Sequence, residues 1–254
     1  MKIVGVIDLL GGRAVRAVAG QRDRYRPVDT VAGCRIEPGD AAALARYYME
    51  NTGVSDLYVA DLDRILARGS HDGIIAALAE LPIPLWVDAG VSGVEEARHI
   101  FRLGATSVIV GLETLQSFEA LEHMCSTLGG RQIAFSLDLR HGRPVKEAVG
   151  GRPTLTAADA ARYSVAAGVG TIVIIDIARV GTPGGPDMST IRSTLSVVPD
   201  IPVLAGGGVR NLEDIYEVAS AGCEGVLVAT SLQDGTLTPA HVEEARRLHS
   251  RPLA

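Results

Sequence analysis

The sequence predicts an α/β fold, a (βα)8 or TIM barrel, and three observations point to it. Eight short apolar, β-branched runs alternate with helix-like segments over 254 residues, the usual length of one such barrel. The first half of the chain recurs in order in the second. No Gly-x-Gly-x-x-Gly run follows the first strand, which argues against a doubly wound dinucleotide-binding sheet.

The expected strands cover residues 2–8, 56–61, 83–88, 107–111, 132–138, 171–176, 201–205 and 225–229. They are apolar almost throughout, as parallel strands covered on both faces must be. Helices are expected between them, among others at 40–51, 94–103, 157–167 and 212–221, with Asp40 and Thr156 as N-caps. Asp8-Leu9-Leu10-Gly11-Gly12-Arg13 recurs as Asp138-Leu139-Arg140-His141-Gly142-Arg143, Asp61-Leu62-Asp63-Arg64 as Asp176-Ile177-Ala178-Arg179, and Gly90-Val91 as Gly208-Val209. The expectation is one barrel over residues 1–254, an internal two-fold duplication of half-barrels at roughly 1–129 and 130–254. Neither half covers its own sheet.

The composition is 47% hydrophobic, with a net charge of −6. Such an acidic balance argues against a nucleic-acid partner. No apolar run is long enough for a membrane span, and the N-terminus enters a strand without a signal peptide. Cys34, Cys125 and Cys223 fit neither a disulfide framework nor a zinc site, so a reducing cytoplasm is expected. No histidine spacing suggests a metal, and the histidines other than His141 fall in or at the start of expected helices.

Active sites of this fold lie at the C-terminal ends of the strands. Five expected strands end in Asp: Asp8, Asp61, Asp88, Asp138 and Asp176. Asp8 and Asp138 end strands 1 and 5, opposite each other in an eight-stranded ring, and are the candidate acid–base pair. For Asp61 and Asp176, bracing of loops is the alternative. Gly206-Gly207-Gly208-Val209-Arg210 leaves strand 7 and Thr230-Ser231 follows strand 8, where such barrels commonly bind phosphate. Gly185, in the glycine-rich loop after strand 6, completes the expected cup. In the first half, Gly90 and Gly111 remain in the matching loops, but Asp88, Ser92 and Glu113 make that site weakened or converted. The basic loop around Arg22, Arg24 and Arg26 either folds over an anionic substrate or is a solvated loop.

Val6-Ile7-Asp8-Leu9 with Arg13, Val59-Ala60-Asp61-Leu62-Asp63, Ser136-Leu137-Asp138, Gly181-Thr182 with Gly185-Pro186, and Gly206-Gly207-Gly208-Val209-Arg210 together resemble the histidine-biosynthesis barrel family over essentially the whole chain. Within it the isomerase branch, which acts on phosphoribosylformimino-aminoimidazole carboxamide ribotide (ProFAR), is the more similar. The cyclase branch has a Cys-x-Asp motif in its first strand that Val6-Ile7-Asp8 lacks. The resemblance implies an Amadori-type aldose–ketose isomerisation of an aminosugar phosphate without metal or organic cofactor. Asp8 would be the general base at C2 and Asp138 the general acid at the ribose ring.

The chain departs from that pattern at Asp88-Ala89-Gly90-Val91-Ser92 and at Gly111-Leu112. Ile175 stands where the branch has a catalytic Thr, Val180 where it has an Asp, and Glu147 to Gly151 replace an aromatic-bearing loop. In this it is similar to an isomerase-related group of methanogens and one-carbon-metabolising bacteria. Three functions fit these residues: a ProFAR-type isomerase, a paralogue acting on another phosphorylated substrate in pterin-type, one-carbon cofactor biosynthesis, and a non-catalytic phosphate-binding barrel. The expected partner is a phosphorylated small molecule; the oligomeric state stays open.

Overall fold

A computed structural model describes residues 1–146, 148–151 and 155–248. Eight parallel strands close into a barrel: β1 Lys2–Leu10, β2 Asp56–Asp61, β3 Leu85–Asp88, β4 Ser107–Gly111, β5 Ile133–Arg140, β6 Thr171–Asp176, β7 Val203–Gly206 and β8 Gly225–Val228. Each pairs with the next, and β8 pairs with β1 to leave no open edge. The register repeats. Asp8 lies opposite Ala60 and Ala60 opposite Asp88, while Asp138 lies opposite Ile175 and Ile175 opposite Gly206.

The expected boundaries shift by two residues at four strands, for two physical reasons. β3 and β7 begin at Leu85 and Val203, two residues late. Pro84 and Pro202 precede them and have no N–H to donate to a ladder. β1 and β5 run two residues past Asp8 and Asp138, because each folds back as a hairpin, with Leu9 opposite Ala14 and Leu139 opposite Pro144. Helices occupy the expected segments, including Val94–Arg102, Ala157–Ala166 and Leu212–Ala221. Asp40 and Thr156 both cap as expected, Thr156 through a capping box with Asp159. The 40–51 helix divides into Ala41–Tyr47 and a π turn, Tyr48–Thr52. There Tyr48 is fully buried on Gly5, whose missing Cβ would stand 2.7 Å from the ring.

Side chains alternate across every strand. One set, Val4, Tyr58, Trp86, Ile109, Ala134, Val173, Leu204 and Leu227, takes a residue from each strand and fills the barrel interior. The residues between them, such as Ile3, Leu57, Val87 and Val203, pack with helix residues such as Leu44, Ile75, Ile100 and Ile215 in the larger outer core.

This alternation sorts the five aspartates. Asp8, Asp88 and Asp138 share the inward positions. Asp61 and Asp176 take outward ones, lie opposite Leu9 and Leu139, and brace loops. Asp176 accepts backbone N–H groups of His141, Gly142 and Ala178 at 2.9–3.1 Å. Asp61 accepts the N–H groups of Arg64 and His71 and holds the His71 ring, Nδ1 to Oδ1 2.7 Å. His71 is thus more than a helix-start residue. Its Nε2 accepts the Gly12 N–H at 2.9 Å, which makes Nδ1 the donor to Asp61. Asp63 accepts the Gly11 N–H at 2.8 Å. The first hairpin is held through Asp63 and His71 and the second directly by Asp176, which explains why Asp63 has no counterpart at Ala178. His249 lies outside the described residues.

Replacing Asp176 by Ala orphans three backbone donors, so Asp176→Ala is expected to lose about 2–4 kcal/mol of stability. Urea unfolding measures it, and an unchanged midpoint contradicts the bracing role.

Candidate active site

At the C-terminal ends of the strands lies a cavity of about 540 Å³. Its floor is the upper layer of inward residues: Asp8 on β1, Ala60 on β2, Asp88 on β3, Gly111 on β4, Asp138 on β5, Ile175 on β6 and Gly206 on β7. Asp8 and Asp138 belong to strands four apart in either direction around the ring.

Burial dominates the electrostatics of the three carboxyls. Asp8 is pushed up to about 7, by burial first and then by the charge of Asp88, against the pull of Arg22. Asp138 also reaches about 7, for burial and Asp88, although the Ser136 hydroxyl donates to it at 2.6 Å. Asp88 rises to about 6. Burial outweighs its hydrogen bonds from the Gly90 N–H at 3.3 Å and the Tyr58 hydroxyl at 3.0 Å. At neutral pH, Asp8 and Asp138 are each divided between acid and base forms. One pair of groups can then give a proton at one place and take one at another.

The second-half wall is built of glycine backbone. Gly207 and Gly208 have φ of +89° and +88°, and a Cβ on either would stand 2.5 Å from a carbonyl oxygen, of Asp176 and Gly185 respectively. Only glycine fits there. Thr230 and Ser231 stand beside them at the start of the short helix Thr230–Gln233. Ser231 is 3% exposed, and its Oγ has no hydrogen-bond partner among the described residues. A buried, unpaired hydroxyl in a cavity wall is a donor awaiting an acceptor.

Three expected binding residues are placed differently. Arg210 lines the cavity, but its guanidinium is bound by both oxygens of Asp214 at 2.7 and 2.8 Å and by the Pro183 carbonyl at 3.0 Å. It shapes the wall. Gly185 is outside the lining; its carbonyl accepts from Arg179, and the wall after β6 is Gly181, Thr182 and Pro183. Gly90 is also outside the lining and donates its N–H to Asp88. Gly111 does line the cavity, and its missing Cβ would meet Asp138 at 3.1 Å and Asp88 at 3.8 Å. Carboxylates fill the first-half counterpart of the glycine wall. Asp88 takes the Gly90 N–H, and Glu96 takes both the N–H and hydroxyl of Ser92.

Of the basic loop, Arg22 reaches the cavity, where it pairs with Glu113 at 3.2 Å, while Arg24 and Arg26 bond within the loop. Sequence reasoning missed Tyr25, Tyr58, Arg140 and Thr114, all in the wall. Tyr58 carried a usable signal, since it stands at an even spacing from Ala60 and shares its inward side. Among the described residues no group of three or more His, Cys, Asp or Glu is arranged to hold a metal, and no helix is long and apolar enough to cross a membrane.

The sequence profile of the histidine biosynthesis protein family matches residues 2–238. Several similar proteins bear the name 1-(5-phosphoribosyl)-5-((5-phosphoribosylamino)methylideneamino) imidazole-4-carboxamide isomerase. One from a Cyanothece strain is 30% identical, over 94% of this chain and 90% of the relative. One from a Synechococcus strain is 31% identical, over 94% and 88%. One from Thermus thermophilus is 27% identical, over 93% and 96%.

Because burial raises the folded-state pKa of Asp8 and Asp138 above the ordinary 3.8, the folded chain holds protons that the unfolded chain has released. Stability therefore falls as pH rises from about 4 to 7, and the loss is complete above 7. Asp8→Asn or Asp138→Asn escapes it. Each is expected to raise Tm at pH 8 by at least about 2–4 °C, the equivalent of about 1 kcal/mol, with a smaller gain at pH 5. Thermal scans at the two pH values test this; a Tm lowered at pH 8 contradicts it.

Proposed function

The chain belongs to the histidine biosynthesis protein family, and from that premise we propose that it is an aldose–ketose isomerase of a phosphorylated aminosugar, working by acid–base catalysis with Asp8 and Asp138. The observation that carries this reading is the pair itself. Two inward carboxyls on opposed strands, both raised to about 7, face one cavity beside a glycine wall. The isomerase names of the relatives support the reaction class.

An Amadori rearrangement needs two proton movements. Asp138, protonated, gives its proton to the ring oxygen as the C1–O bond breaks, and the amine nitrogen's lone pair forms the C1=N bond. Asp8, ionised, then takes the C2 proton, leaving an enaminol. Protonation at C1 and loss of the hydroxyl proton at C2 give the aminoketose. Hydrogens change place, and no net electrons enter or leave. The Ser136 hydroxyl, donating to Asp138, fixes the position of that carboxyl at the cavity floor. Gly207, Gly208, Thr230 and the free hydroxyl of Ser231 are the phosphate ligands in this reading, at a helix start where an anion is favoured. We place this work in the cytoplasm, where the free cysteines Cys34, Cys125 and Cys223 would stay reduced.

The filled first-half wall favours a second reading within the same chemistry. A bisphosphate needs a second anion cradle, and Asp88 occupies its place. A paralogue with a singly phosphorylated substrate, serving one-carbon cofactor biosynthesis, suits that wall better.

The test is turnover of the substrate named for the relatives, followed by product chromatography. Asp8→Asn and Asp138→Asn are each expected to lower kcat by about 10²–10⁴-fold. The wild-type profile is expected to be bell-shaped and centred near pH 7. Asp8→Asn should remove the rise on the acid side and Asp138→Asn the fall on the alkaline side. Full activity in either variant sinks the paired mechanism. No turnover by folded wild-type protein moves the assignment to the singly phosphorylated substrate.

A further inference from the structure

The two ends of the cavity are chemically opposite. In the second half, Val173 and Gly206 occupy the inward positions of β6 and β7. At the matching places of β2 and β3 stand Tyr58 and Asp88, joined by a 3.0 Å hydrogen bond. A single change at either place would leave a hydroxyl or a carboxylate with less support, so the two differences act as one unit. Asp88 is 8% exposed, and the Tyr58 hydroxyl and the Gly90 N–H each occupy one of its oxygens, which leaves lone pairs facing the cavity. Glu113 adds a second carboxylate on this side, with Arg22 as its ion-pair partner.

We infer that this end of the cavity receives a cationic nitrogen group, so that the substrate is a monophosphate bearing an amine or amidine at the end remote from its phosphate. The inference rests on the proposed phosphate end and depends on no step of the isomerisation. A phosphate placed against Asp88 meets a buried like charge, so the carboxylate also rejects a bisphosphate. A cation there offsets the repulsion among Asp88, Asp8 and Asp138 that helps keep their protons on. The opposite end has an independent mark of a ligand in the buried, unpartnered Ser231 hydroxyl.

Calorimetric titration of the full chain with n-alkyl phosphates and ω-aminoalkyl phosphates of four to six carbons tests the inference. The expected result is binding of the aminoalkyl series about tenfold or more tighter than the alkyl series of equal length, the fold-change of one well-placed ion pair in a closed site. In Asp88→Asn the two series should bind equally, with affinity for inorganic phosphate unchanged, which also reports that the variant is folded. Ser231→Ala should weaken both series alike. Equal binding of the two series by wild-type protein, or no binding of either at millimolar concentration, overturns the inference. An amine preference in a protein that isomerises nothing overturns the isomerase reading alone.

Discussion

The alternation of side chains along eight strands locked in a closed ring is the constraint on which the site depends. Once β8 pairs with β1, no strand can slip by a residue without turning its inward set outward. That lock sends Asp8, Asp88 and Asp138 into the cavity and turns Asp61 and Asp176 onto the loops. Chemically identical residues at neighbouring strand ends thereby do opposite work. Three are held where ionisation is costly. Two lie among backbone donors where the charge is satisfied.

The loop braces and the site are parts of one construction. Asp176 holds the β5 hairpin directly, and its carbonyl oxygen is the atom that forbids a side chain at Gly207. Arg210, tied to Asp214 and Pro183, packs against Gly185, whose carbonyl in turn forbids a side chain at Gly208. The glycine wall is therefore fixed from behind by charged groups that need never touch a ligand. After β3, by contrast, Asp88 and Glu96 consume the N–H groups of Gly90 and Ser92 that an anion would otherwise take. The cavity therefore has unlike ends.

The fold was legible in the sequence because apolar periodicity and the ordered recurrence of motifs both survive without side-chain geometry. Asp8 and Asp138, Gly207 and Gly208, Thr230 and Ser231 line the cavity where their place at strand ends led us to expect them. Arg210 lines the cavity, but its pairing with Asp214, one helical turn on, was not legible, because sequence alone does not show which way either side chain turns. Gly185 and Gly90 were misjudged because glycine in a loop marks conformational freedom and not direction. The role of His71 depended on contacts across the chain with Gly12 and Asp61, which no local pattern announces. Tyr58 and the sorting of the five aspartates followed from strand parity, and counting in twos from the interior residues would have given both.

Burial in one cavity, sharpened by Asp88, holds the Asp8 and Asp138 carboxyls near neutrality. Carbon-13 NMR titration of Asp-labelled protein, assigned with Asp8→Asn and Asp138→Asn, measures it directly. Both carboxyls are expected to titrate near pH 7, and both midpoints to fall in Asp88→Asn. Two midpoints in the ordinary carboxylate range near 4, indifferent to Asp88, would contradict it.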